Sequence, residues 1–140
     1  MDGSFVNALF YDEPAGTFAD GYVFRTEPDL TRAQQDPDNG YWHCDVKDRD
    51  SLTWSEKVYD LFGLPAGSPI EREWAVARYS EHSRNVLERV RSFGLNRDFG
   101  FILDAEITPE GADSRWIRVL AVPILEDGRV AALHGLKRAL

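Results

Sequence analysis

The sequence predicts an α+β fold: a five-stranded antiparallel sheet with short helices packed over one face, plus an N-terminal extension. Three observations predict it. Two short strand-like runs, residues 41–46 and 51–54, flank a turn; a group of helical patterns follows; and the last third alternates with period two over three long stretches. Strands collected at both ends, with helices between them, place those helices on one face of an antiparallel sheet.

A chain of 140 residues suffices for one core, since a fold of this size hides roughly two-thirds of its unfolded surface. Hydrophobic residues make up 43% and charged residues 29%, too apolar a balance for a disordered tail. Sixteen basic against 24 acidic residues leave a net charge of −8, the wrong sign for neutralising phosphates or lying on an anionic membrane. Neither nucleic acid nor a membrane is therefore an expected partner. Cys44 is the single cysteine and there are three histidines, so no internal disulfide or tetrahedral zinc set can form and no metal site is expected. A reducing compartment suits such a chain. No apolar run approaches the ~20 residues of a membrane helix, and the start MDGSFVNALF lacks the form of an export signal. The expected location is cytoplasmic.

Residues 1–39 read as an extension. They hold three of the seven prolines and end on the turn-rich Asp36-Pro37-Asp38-Asn39-Gly40. Phe5, Val6, Leu9, Phe10, Tyr11, Phe18, Tyr22, Val23 and Phe24 carry too much apolar surface to stay in water at about 25 cal/mol per Å², so the segment should dock on the sheet or on a dimer partner. A short helix near Phe5 and Leu9, capped by Ser4, and a strand over 21–25 are its candidate elements. Next, 41–46 and 51–54 form a hairpin around Lys47-Asp48-Arg49-Asp50. Ser55 has the chemistry to cap a helix over 56–62, with Val58, Leu61 and Phe62 on one face and Gly63 at its end. One or two helical turns fit 71–77. The stripe Val86, Leu87, Val90, Phe93 predicts a helix over 81–93 that Gly94 stops. Strands over 99–107, 116–125 and 130–136 complete the chain, separated by Pro109-Glu110-Gly111 and Asp127-Gly128.

Alternation sends Phe101, Leu103, Ala105 and Ile107 inward and Asp104 and Glu106 outward. Folding the next strand back near Gly111 sets Asp104 opposite Arg118 and Leu103 opposite Val119, which reads as a surface ion pair above an apolar one. Trp116, Leu120, Val122 and Ile124 then join Arg118 on an outer face too apolar for free solvent, and these five residues are the candidate interface. For the last strand, a two-residue turn and a three-residue loop with a bulge at Gly128 exchange the faces of Leu133 and His134; the bulge, with Leu133 inward, is preferred. Beneath the helices the inward set Trp42, Cys44, Leu52, Trp54, Val58, Phe62, Val86, Val90, Phe101, Leu103, Ile117 and Val119 is the candidate lining of a small-molecule cavity. With no acid or base among these positions, no catalytic residue is assigned.

Several words of the sequence occur together in a familiar order: Gly40-Tyr41-Trp42, Leu52-Thr53-Trp54-Ser55, Tyr59-Asp60-Leu61-Phe62-Gly63-Leu64, Val86-Leu87, Arg115-Trp116-Ile117-Arg118-Val119, and Asp127-Gly128-Arg129-Val130 before Gly135. In this order they resemble a PAS domain of the bacterial sensory kind, in which a Trp-Ser step leads into a Tyr-x-Leu-Phe-Gly helix and an Arg-Trp-x-Arg strand follows. The resemblance spans about residues 40–138, so 40–140 reads as the PAS domain. It implies a non-catalytic sensory or signal-transduction module with a pocket between sheet and helices and an outer face that forms a homodimer or meets a flanking helix. The chain reads Arg138-Ala139-Leu140 where such domains often have an Asp-Ile-Thr step, and an unknown effector protein is expected to read the signal. No cofactor is expected. Flavin sensors of this fold use a cysteine within an Asn-Cys-Arg-Phe-Leu-Gln-like helix, which is missing here, while the common haem histidine aligns with Tyr79, three residues before His82. A small organic ligand remains open, with Trp42 and Trp54 as stacking surfaces. Cys44 reads as a small buried hydrophobe, and His43 points outward. The alternatives are an interaction module with a filled core and a small isomerase-like enzyme.

Overall fold

Six antiparallel strands form the sheet of the computed structural model, which describes residues 3–140. They are β1 (Tyr22–Phe24), β2 (Gly40–Asp45), β3 (Ser51–Trp54), β4 (Gly100–Ile107), β5 (Arg115–Glu126) and β6 (Arg129–Ala139), in the spatial order β1-β4-β5-β6-β2-β3. The helices are α1 (Thr31–Gln34), α2 (Glu56–Phe62), α3 (Arg72–Ala77) and α4 (Glu81–Arg97), preceded by a π-helical turn over Val6–Tyr11. The fold class is the one expected, with a sixth strand: β1 joins the free edge of β4, Val23 facing Phe101.

Local chemistry places most of these elements. Helix α2 ends at Gly63, which takes the left-handed φ of 77°. Ser55 does not cap it; its hydroxyl instead accepts from the Tyr41 N–H at 2.8 Å and ties the start of α2 to β2. Helix α4 runs through Gly94 and ends at Asp98, whose φ is 62°. The reason is close approach: a Cβ at Gly94 would lie 2.7 Å from the Phe99 carbonyl oxygen, so the glycine lets the chain fold back against its own helix. The final hairpin also differs from expectation. Asp127 and Gly128 both have positive φ, 52° and 76°, so they form a two-residue turn of the primed type. The extra residue lies further along. Leu125 faces Val130 and Ile124 faces Ala132, so Ala131 bulges out of the ladder. The result for the faces is the expected one, Leu133 inward and His134 outward, reached by a different irregularity.

Two cores result. One lies between the inner sheet face and α2–α4, around Trp42, Trp54, Phe62, Leu103 and Ile117. The other lies on the outer face, where Val6, Phe10, Phe18, Phe24, Leu30 and Ala33 cover Ile102, Leu120, Val122 and Leu136. The register is as read: Asp104 faces Arg118 and Leu103 faces Val119. The environment of that pair is not. Asp104 and Arg118 are both 0% exposed, so the expected surface pair is a buried one. Of the candidate interface residues, Arg118, Leu120 and Val122 are buried under the chain's own N-terminal segment, Ile124 is half-buried and Trp116 stays exposed.

Arg118 has acceptors for all of its guanidinium N–H groups. Nε and Nη2 donate to the two Asp104 carboxylate oxygens at 2.7 and 2.9 Å. Nη1 donates to the Glu13 carbonyl at 2.7 Å and Nη2 to the Pro14 carbonyl at 2.8 Å, with the Leu9 and Phe10 carbonyls also within reach of Nη1. Asp104 completes the joint by accepting from the backbone N–H groups of Gly16 and Phe18 at 2.9 and 3.0 Å. The pair thus satisfies a stretch of irregular backbone that would otherwise be buried without partners. Arg118→Ala is expected to destabilise the chain by about 3–5 kcal/mol, because Asp104 is left as an uncompensated buried charge. Replacing both by Met and Leu should not restore stability, since the Glu13, Pro14, Gly16 and Phe18 backbone groups lose their partners; urea unfolding of the two variants checks this.

Candidate functional site

The inner face and the helices enclose a cavity of about 60 Å³, room for a few water molecules. Alternation along the strands delivers its floor. Trp42 and Cys44 come from β2, Leu52 and Trp54 from β3, Phe101 from β4, Val119 from β5, and Leu133 and Lys137 from β6. Arg72, Ala75 and Val76 of α3, the following Tyr79, and Leu87 and Arg91 of α4 form the roof. Six of the twelve candidate lining residues therefore meet here: Trp42, Cys44, Leu52, Trp54, Phe101 and Val119. The other six, Val58, Phe62, Val86, Val90, Leu103 and Ile117, are core packing outside the lining.

The expectation of an interior with no acid or base fails at Lys137. Its residue is 7% exposed, and Nζ lies over four aromatic rings, 4.9 Å from the centroid of Phe62, 5.4 Å from Trp42, 5.7 Å from Trp54 and 5.9 Å from Tyr79. Nζ donates to the Tyr79 hydroxyl at 3.3 Å. Among the described residues no carboxylate lies within 4.0 Å of it. Burial is the main influence on this amine and pulls its pKa down to about 7. The negative ring faces act in the opposite sense, favouring the ammonium. Burial also raises the pKa of the Tyr79 hydroxyl, so it stays protonated and neutral.

A second buried donor lies alongside. Among the described residues Trp42 Nε1 finds no hydrogen-bond acceptor, which is costly for a buried N–H. The other two cations of the lining are paired, Arg72 with Glu88 and Arg91 with Asp50, the latter at 2.7 Å. Burial, and then the charge of Asp50, push the Cys44 thiol up, so it is a neutral, poorly nucleophilic group whose Sγ contacts Asp50 at 3.8 Å. His82 lies outside the cavity, exposed and 3.3 Å from Asp20. His43 faces His134 across the β2–β6 ladder, and His134 Nδ1 is 2.7 Å from the Tyr41 hydroxyl.

No protein-family model matches the sequence, and no curated protein matches it either. Solved structures do match. A sensory box histidine kinase/response regulator from Burkholderia thailandensis superposes with a TM-score of 0.66 at 14% identity, over 79% of this chain and 83% of that one. The N-terminal domain of a diguanylate cyclase with PAS/PAC sensor from Marinobacter aquaeolei gives 0.65 at 17% identity, over 72% and 94%. An RNA-binding light-oxygen-voltage receptor gives 0.64 at 15% identity over 74% of this chain, which spans 29% of that protein's length. At these identities the likeness is one of fold, and the fold is the PAS fold. Among the described residues no helix is long and apolar enough to cross a membrane.

Below about pH 7 Lys137 is charged in the folded and the unfolded chain alike, so the folded state bears the full cost of burying the charge. Between about 7 and 10.5 the unfolded chain holds a proton that the folded chain does not, and stability rises with pH. Lys137→Met is therefore expected to be more stable than the parent near neutral pH by at least ~1 kcal/mol. The advantage should shrink steadily toward pH 10; urea unfolding across that range is the measurement.

Proposed function

On the fold these neighbours share with the chain, we propose a non-catalytic sensory module of the PAS type: a small molecule enters the cavity beneath α3 and α4, and its presence is read on the opposite face of the sheet. The observation that carries this reading is the pair of successive residues Lys137 and Arg138 on β6. Lys137 lines the cavity. Arg138, on the other face, donates to the Phe10 and Tyr11 carbonyls at 3.0 and 3.2 Å and lies over both of their rings. A strand is stiff along its length, so a shift that accommodates a guest at Lys137 also moves the anchor of the N-terminal cover.

Beneath that cover lies the apolar patch of Ile102, Leu120, Val122 and Leu136, suited to a second copy of the chain or to an effector protein once released. Homodimerisation through the outer face then requires the cover to move. A cavity of about 60 Å³ favours a compact guest over haem or flavin.

Native mass spectrometry and thermal melting of the purified chain, against a collection of small organic compounds, test the reading. A retained compound that raises the melting temperature and changes amide hydrogen exchange over residues 9–18 is the expected result. A chain that retains nothing, melts unchanged and exchanges unchanged would instead be an interaction module with a filled core.

A further inference from the structure

We propose, building on the reading of the cavity as a ligand site, that its guest is a small organic carboxylate held by Lys137 Nζ and Trp42 Nε1, with its apolar part against the Trp54, Phe101 and Leu133 walls. The two donors carry the argument. A lysine ammonium has three N–H groups and no acceptor, and in Lys137 only the long 3.3 Å bond to Tyr79 uses one. Trp42 contributes an indole N–H that finds no acceptor among the described residues. Both residues line the same small space, with Nζ 5.4 Å from the centre of the Trp42 ring. What this arrangement lacks is an acceptor with more than one lone pair and no donor of its own, which describes a carboxylate.

Charge points the same way. The paired cations Arg72 and Arg91 cancel against Glu88 and Asp50, which leaves Lys137 as the uncompensated charge of the lining. This occurs in a chain of net charge −8, so local positivity is a property of the site and not of the composition. A surface depression formed by residues 48–52 and 70–73 shares Leu52 and Arg72 with the cavity. Its rim carries Asp48, Asp50, Glu71 and Glu73 beside Arg49 and Arg72, so the attraction for an anion lies at the buried amine and not along this approach. The remaining groups facing the amine are Tyr79, neutral, and Cys44, a neutral thiol. Organic acids suit the walls better than inorganic anions, because a body without hydrogen-bonding groups replaces water against aromatic and aliphatic side chains.

Isothermal titration calorimetry with acetate, propionate and isobutyrate, each beside its neutral amide and beside inorganic phosphate at matched ionic strength, decides the matter. At least one acid should bind about tenfold or more tightly than its amide, the discrimination expected for hydrogen bonds to a charged group. Lys137→Met, expected to fold, should abolish that preference, and Trp42→Phe should weaken the acid several-fold while sparing the amide. Near pH 8, binding measured in buffers of different ionisation enthalpy should show uptake of about one proton in the parent and none in Lys137→Met. Amides binding as well as acids, phosphate binding as well as either, or an acid preference that survives in Lys137→Met would overturn the carboxylate assignment and leave the ligand site standing. Failure of every acid and every amide to bind would remove both.

Discussion

The joint between Asp104 and Arg118 is the interaction on which the architecture rests. It is a cross-strand pair within the β4–β5 ladder, yet most of the hydrogen bonds it makes go to backbone outside the sheet, along residues 9–18. A segment with little regular structure can lie buried on a sheet only where its peptide groups find partners. One guanidinium and one carboxylate provide them at the centre, and apolar side chains close the rim. Isolated buried ion pairs contribute little net stability; this one differs because it also serves the backbone around it. The outer half of the molecule is thus organised by polar satisfaction and the inner half by hydrophobic packing.

Lys137 stands in contrast. Arg118 is buried with its donors used, whereas Lys137 is buried with most of its donors free, encircled by rings. A natural core tolerates such a group where something other than stability selects it. The same strand therefore carries two cations of opposite purpose one residue apart: Arg138 holds backbone carbonyls on the outer face, and Lys137 projects into the cavity. This adjacency gives the fold a short mechanical connection between its two cores.

Much of this was legible in the residues. The Asp104–Arg118 register followed from matching the patterns of two strands about one turn, and helix α2 from its apolar spacing and Gly63. Six of the fourteen cavity-lining residues followed from inward alternation, because strands have a period of two. Misses trace to definable causes. The strand reading for β6 ended at residue 136, one short of Lys137; extending the alternation from Leu133 would have sent residues 135 and 137 inward. A lysine at a strand end reads as solvent-facing, and only the rings of Phe62 and Tyr79, distant in sequence, reveal otherwise. Arg72, Tyr79 and Arg91 reach the cavity through the packing of α3 and α4, a tertiary fact with no local signature. The burial of Arg118 was hidden for a similar reason, since the carbonyls it binds lie about a hundred positions away.

The bulge at Ala131 carries a further consequence. Beyond it, every residue of β6 is displaced by one position relative to the start of the strand, and that offset decides which side chain of each neighbouring pair meets the aromatic cage. Were Ala131 drawn into a regular ladder opposite Ile124, the side chains of 137 and 138 would trade sides: a guanidinium would enter the cavity, and a primary amine, unable to form a planar fork, would face the Phe10 and Tyr11 carbonyls. The bulge is therefore part of the chemistry of the site, and its absorption into the ladder, far from the cavity, would rewrite the lining as thoroughly as a substitution within.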